Sequence, residues 1–378
     1  MKVLHLINNL KREGAQVVVY NLATTPGSGH ILHVVCAREP GGQLQSSLEN
    51  NGVPVYVPDQ YYGALHTSRS MRFISEVIDS ESIDIIHAHM ADAGFLGWLV
   101  ARKRGMPLII THHGHDILPV CNFLCRAVYF ICLFLSARYA RRNVVVSASV
   151  AERVLGKLAL KTDRVSVITN GVPIPEEEKF SKRNRLESRE LNIVSVGRLV
   201  ELKGHDQLIS AAKIIVKEHQ DVRFYIVGGG PLGDSLQQQV HSLGLSSNFV
   251  FTGSVDDVSI YLREADIYVS TSHSEGMPVA TLEAMSWNVP VIASDIPGNR
   301  SIVEPDETGL LYELGDVNAL VSSIRQVAGE PELARERARR AYLLVKDHFS
   351  AESTIRAYGR LYNDVLGVEQ QQGNTYNV

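Results

Sequence analysis

Two cations and two carboxylates occupy places in this 378-residue sequence where they could handle a phosphate and a sugar. Arg198 and Lys203 lie five residues apart in SVGRLVELKG, after an apolar run ending at Val196 and before a helical pattern starting near His205. Gly197 permits a tight turn between them and the run. An arginine fork and a lysine point charge beside a helix N-terminus suit a diphosphate. Taken alone, the pair also reads as two solvated surface cations. Glu275 and Glu283 stand in ADIYVSTSHSEGMPVATLEAM, the first on a loop and the second on a helix beginning near Pro278–Val279. That helix end turns free N–H groups toward an anion. Carboxylates beside such a site repel phosphate and are better suited to accept hydrogen bonds from sugar hydroxyls, Glu275 from a transferred sugar and Glu283 from a ribose. The alternative is a helix cap at Glu275 and an ion pair at Glu283. Between the two segments, IVGGGPL sets Gly228, Gly229, Gly230 and Pro231 after a strand, either for close backbone approach to a ligand or as a plain turn.

The elements that must position these groups alternate. Short apolar runs predict strands at 3–7, 31–36, 53–57, 83–87, 108–111, 144–147 and 165–168, then at 193–196, 223–227, 249–251, 267–270 and 289–293. Continuous apolar runs between helical stretches mark parallel strands covered on both faces. The series is interrupted by GVPIPEEEKFSKRNRLESRE, rich in proline and charge. The expected organisation is α/β, with two Rossmann-like doubly wound domains facing across a cleft: residues 1–170, a linker at 171–190, residues 191–348, a C-terminal helix at 349–367 packing back on the first domain, and a flexible tail at 368–378. Ligands of such sheets bind at the C-terminal strand ends.

The composition is that of a globular protein, with 45% apolar and 21% charged residues. The net charge of −4 divides unevenly: residues 1–170 carry 17 basic against 12 acidic side chains, and residues 171–378 carry 20 against 29. Different partners for the two halves, or simple drift of surface charge, fit this asymmetry. Cys36, Cys121, Cys125 and Cys132 match no zinc or CxxC spacing and read as buried thiols of a reduced compartment. MKVLHLINNL lacks the pattern of a signal peptide, so a cytoplasmic protein is expected. No GxGxxG follows the first strand, which argues against a dinucleotide oxidoreductase. No nucleic-acid partner is expected.

In the first half, Gly14 in KREGAQ is a candidate for close backbone approach to a ligand. His87 and His89 end one predicted strand, and His112, His113 and His115 follow another. They hold loops or face the cleft; a metal site built with Asp116 is disfavoured, because Arg198 and Lys203 already supply positive charge. Residues 120–142 (VCNFLCRAVYFICLFLSARYARR) are too interrupted to span a membrane. They read either as an amphipathic helix lying on an anionic membrane or as an ordinary packed helix.

Gly197-Arg198 with Lys203-Gly204, then Gly228–Leu232, then Glu275-Gly276 with Glu283-Ala284, and DIPGNRSIVEPDETG, together resemble the family-4 retaining glycosyltransferases of the GT-B fold, over residues 1 to about 365. The resemblance implies that Arg198 and Lys203 bind a donor diphosphate, that Glu275 contacts the donor sugar and Glu283 the ribose, and that the segment Gly276, Met277, Pro278 and Val279 completes a phosphate cradle. It implies that His113 sits near the donor sugar. It implies catalysis without a metal or cofactor, the nucleoside diphosphate sugar being a co-substrate and uridine its expected base. The acceptor is expected to be a glycan, glycolipid or small molecule, with peripheral contact at the inner face of the cytoplasmic membrane. The first loop departs from the family, since Glu13 replaces one glycine and Gln16 the usual acidic residue. A sugar-nucleotide epimerase of this fold and a non-catalytic binding subunit are the rivals.

Overall fold

The structure is a computed structural model that describes residues 1–26, 31–60, 67–114, 123–177, 180 and 190–368. Seven parallel strands form the first sheet: β1 (Lys2–Ile7), β2 (Leu32–Ala37), β3 (Val55–Tyr56), β4 (Ile85–His89), β5 (Leu108–His112), β6 (Arg142–Val145) and β7 (Val165–Val167). Their order is β3-β2-β1-β4-β5-β6-β7. Six parallel strands form the second: β8 (Leu191–Val196), β9 (Val222–Val227), β10 (Phe249–Gly253), β11 (Ile267–Ser270), β12 (Val291–Ser294) and β13 (Leu310–Tyr312), in the order β10-β9-β8-β11-β12-β13. Helices cover both sheets, which is why β1, β4 and β12 are buried on both faces along almost their whole length. These are two Rossmann-like domains.

Strand order reverses between β1 and β4 in one sheet and between β8 and β11 in the other. At such a switch point neighbouring loops diverge and leave a crevice at the C-terminal strand ends. The loops that leave β1, β8 and β11 are those carrying Gly14, Arg198 with Lys203, and Glu275.

The helix Ala351–Leu366 belongs to the first sheet by packing, although it follows the second in the chain. Val172 and Ser350 form a bridge in which the Val172 amide donates to the Phe349 carbonyl and the Ala351 amide to the Val172 carbonyl. Tyr358 and Tyr362 are then wholly buried against β4 and β5, their hydroxyls bonded to Thr111 Oγ1 (3.1 Å) and His87 Nδ1 (2.7 Å). A buried hydroxyl left without a partner would cost about 1–3 kcal/mol, so the two rings are placed by polar as well as apolar contacts.

The stretch 120–142 contains one helix, Phe123–Tyr139, with residues 120–122 outside the described part. Leu133, Ser136 and Ala137 are buried, while Val128, Ile131, Leu135 and Tyr139 are exposed and recur at helical spacing along the opposite side. Among the described residues no helix is long and apolar enough to cross a membrane. Cys36 is buried, its thiol pushed up to about 12, but Cys132 is only half-buried, against the expectation of enclosed thiols.

Candidate active site

The two switch points face each other across a cavity of about 900 Å³. The residues expected to form the donor site line it: Gly14 and His113 from the first domain; Gly197, Arg198 and Lys203 after β8; Gly229, Gly230 and Pro231 after β9; and Glu275, Gly276, Met277, Pro278, Val279 and Glu283 after β11. His112 lies one residue away at the end of β5, buried, with Nε2 bonded to Asn143 Oδ1 at 3.0 Å, and does not reach the cavity. His115 and Asp116 lie outside the described residues.

Six of the seven charged residues that line the cavity are paired with one another. Lys203 Nζ bonds Glu275 Oε1, and Ser272 Oγ donates to the same oxygen at 2.7 Å. Gly298 backs Glu275 so closely that a Cβ there would stand 2.6 Å from Glu275 Cβ. The other two pairs cross the cleft: Arg198 to Glu13 at 3.7 Å and Arg12 to Glu283 at 3.8 Å. Arg12 and Glu13 are therefore site residues that sequence reasoning passed over. Their loop was judged by its missing glycine, whereas its long side chains span the gap. Burial pushes the Glu283 carboxyl up to about 7; Arg12 opposes that shift and Asp257 adds to it. The helix Val279–Ser286 points its N-terminus into the cavity with no side-chain cap, leaving its amides available to an anion.

One loop fastens the domains together. Ser147 Oγ donates to the Gly276 carbonyl at 2.8 Å, and the Asn170 amide donates to Met277 Sδ at 3.1 Å. A Cβ on Gly276 would lie 2.0 Å from the His113 carbonyl oxygen, and one on Gly114 would lie 2.6 Å from Gly276 Cα. Bare backbone is required where the two chains cross.

His113 is held at the cavity wall, and burial pushes its imidazole down to about 3, with His112 adding to the shift. Behind it stand His89, His5 and His33, of which the last two had no signal as single histidines in apolar runs. His5, His87 and His89 approach one another as metal ligands do, within 4.8 Å. Both His87 nitrogens are nevertheless committed, to Tyr362 and to Thr111 Oγ1 (2.7 Å each), so the trio does not fit an ion.

Residues 3–175 match the family described as Glycosyltransferase Family 4, and residues 176–343 match Glycosyl transferases group 1. The chain belongs to the group 1 glycosyltransferases of the family-4 type. Among curated relatives, this glycosyltransferase is 25% identical over 346 residues to the Escherichia coli UDP-Gal:alpha-D-GlcNAc-diphosphoundecaprenol alpha-1,3-galactosyltransferase, covering 88% of each chain. It is 24% identical over 299 residues to a capsular polysaccharide biosynthesis glycosyltransferase of Staphylococcus aureus, covering 75% of this chain and 77% of the relative. Among solved structures, Anabaena HepE in complex with UDP and glucose shares the fold at a TM-score of 0.80 and 22% identity, over 96% of this chain and all of that one. The protein is thus a glycosyltransferase of glycan biosynthesis with a GT-B architecture.

Proposed function

We propose that the enzyme moves a hexosyl or N-acetylhexosaminyl unit from a UDP-linked sugar to an acceptor hydroxyl, with retained configuration and without a metal ion. The observation that carries this reading is the convergence of Arg198, Lys203, Glu275, Glu283 and a helix N-terminus on one cavity whose far wall holds His113. The diphosphate lies between Arg198, Lys203 and the helix amides, which stabilise the charge that grows as the sugar departs. As Lys203 turns to the phosphate, Glu275 is released to the sugar hydroxyls and Glu283 takes the ribose. The departing phosphate takes the acceptor's proton on the face it leaves. Closure on the fastened loop excludes water, a competing acceptor.

The acceptor in this reading is lipid-linked and presented at the inner face of the cytoplasmic membrane. The exposed stripe on Phe123–Tyr139, with Arg138, Arg141 and Arg142 at its end, has the chemistry of an anionic bilayer contact, and the E. coli relative's name specifies a diphosphoundecaprenol substrate. The test is a panel of nucleoside diphosphate sugars incubated with a lipid-diphosphate sugar in anionic vesicles. Transfer from a UDP-sugar with an unchanged anomer, insensitive to chelator, is expected on sedimenting vesicles. Conversion of the donor without any acceptor would indicate an epimerase and sink the reading.

UDP binding should depend on pH through Glu283. Only the carboxylate accepts from both ribose hydroxyls, and its proton is held up to about 7 in the free enzyme. The dissociation constant should rise as the pH falls below that value, by about tenfold over one pH unit, and Glu283→Gln should flatten the profile. For stability the sign reverses. The native state holds this proton more tightly than the unfolded chain, whose value is 4.5, so that contribution is full below 4.5 and lost as pH rises through about 7. Calorimetric titration of wild type and variant across pH 5.5–8.5 checks the first claim; a binding profile that is flat in the wild type contradicts it.

A further inference from the structure

Two ion pairs cross the cleft, and each joins a group that a nucleoside diphosphate sugar would claim to one that it would set free. Phosphate would draw Arg198 from Glu13, and the ribose would draw Glu283 from Arg12. The groups set free, Arg12 and Glu13, are neighbours on the loop that leaves β1. That loop is fixed from behind. The Leu44 amide donates to the Leu10 carbonyl at 2.9 Å, and the Arg12 amide donates to Gln43 Oε1 at 3.3 Å. A Cβ on Gly42 would stand 2.2 Å from the Leu10 carbonyl carbon, so the two segments are in backbone contact. With the backbone held, any exchange of partners falls to the side chains.

We propose that Arg12 is a ligand of the donor diphosphate: it leaves Glu283 as the ribose arrives and turns along the helix Val279–Ser286 to the phosphates, while Glu13 gives up Arg198. The proposal rests on the reading of the cavity as a nucleoside diphosphate site.

Charge sets the direction of the exchange. Among the described residues, the second domain lines the cavity with two cations and two carboxylates, Arg198 and Lys203 against Glu275 and Glu283. It meets the diphosphate with no surplus of positive charge. The surplus lies on the first domain, in Lys11 and Arg12 against Glu13. Lys11 is exposed, whereas the Arg12 side chain is 18% exposed and already inside the cleft. A carboxylate at Glu13 repels the arriving phosphates unless its neighbour brings a cation with it. Distance permits the turn. Val279 and Glu283 are four residues apart on one helix, about 6 Å of rise, which an arginine pivoting on a fixed backbone can cover. The 3.8 Å contact of Arg12 with Glu283 is looser than a charge-assisted hydrogen bond of about 2.7–2.9 Å, so little is lost on leaving it. Burial holds the Glu283 proton up to about 7, so near neutrality about half of these carboxyls offer Arg12 no charge. The phosphates offer its planar fork two oxygens at once.

Calorimetric titration of the full chain with UDP, and displacement of UDP by uridine, separate the phosphates from the nucleoside at pH 8, where Glu283 is ionised. Arg12→Ala should raise the UDP dissociation constant by about tenfold or more and leave that of uridine within about twofold. Arg12→Lys should recover part of the loss. Glu13→Gln should tighten UDP by about threefold and leave uridine unchanged, because the phosphates no longer displace a carboxylate from Arg198. An Arg12 that serves only to hold Glu283 behaves differently: Arg12→Ala then weakens uridine and UDP alike, and its effect vanishes in the Glu283→Gln background. Either of those results would overturn the proposal, as would weaker UDP binding by Glu13→Gln. A wild type that binds UDP no more tightly than uridine would end the diphosphate reading and this proposal together. A wild-type preference for UDP that survives intact in Arg12→Ala would end the proposal alone.

Discussion

Lys203→Ala should lower kcat/KM for glycosyl transfer by about 10³-fold, the upper end of what removing one preorganised electrostatic group costs. Two losses combine. The diphosphate loses a cation placed beside a helix N-terminus, and Glu275 loses its counter-charge. The Glu275 side chain is only 10% exposed, so the remaining bond from Ser272 leaves a nearly enclosed carboxylate without a cation. Such a group turns away toward solvent or another donor, which spoils its hold on the sugar. Lys203→Arg should recover only part of the activity, because a planar fork cannot serve both partners from the position of one ammonium. Arg198→Ala should cost less, since Arg198 is half-exposed and its partner Glu13 is 3.7 Å away. Steady-state kinetics on the three variants decides the matter, and a loss below tenfold for Lys203→Ala would remove it from the diphosphate site.

Gly276→Ala should lower transfer to about 1% of wild type or less while leaving both domains folded. The added Cβ would meet the His113 carbonyl oxygen at 2.0 Å, well inside any van der Waals contact, and the atom it meets is backbone and cannot rotate aside. The loop can escape only by leaving the first domain, which breaks the bond from Ser147 and shifts Glu275 relative to His113. A displacement of about 1 Å between reacting groups already costs on the order of 10²-fold in rate. Gly156→Ala is the control, because nothing lies within 4 Å of a Cβ at Gly156, in the helix Ala148–Leu158 and outside the cavity lining. Circular dichroism should be unchanged for both variants. A fully active Gly276→Ala enzyme would show that the observed domain contact is not the working one.

The second half of the site was legible in the sequence because its groups sit on short stretches of one chain. Arg198 and Lys203 share a loop, and Glu275 and Glu283 share a loop and the helix it enters, so strand-to-helix order alone puts them at one sheet edge. Twelve strands were readable as apolar runs, and β13 was not: LLY is three residues inside EPDETGLLYEL, too short for a period. Pro290 delays β12 to Val291, where the run itself begins at Val289. What stayed hidden depends on pairing between distant segments. His5 meets His87 across β1 and β4, and His33 lies diagonal to His5 because β2 aligns it with Val3. No local pattern encodes that register. Arg12 and Glu13 were hidden for a related reason, since their partners Glu283 and Arg198 belong to the other domain.

The late helix has a consequence for how the molecule is made. The first sheet is encoded by residues 2–167, yet Tyr358 and Tyr362, which fill its underside and satisfy Thr111 and His87, are translated after the entire second domain. Until that helix is made, the first sheet lacks the two rings that cover β4 and β5, and His87 Nδ1 lacks its partner, Thr111 Oγ1 keeping its bond to His87 Nε2. A chain cut short at residue 343 would carry every charge of the donor pocket and still lack the helix that completes the other domain.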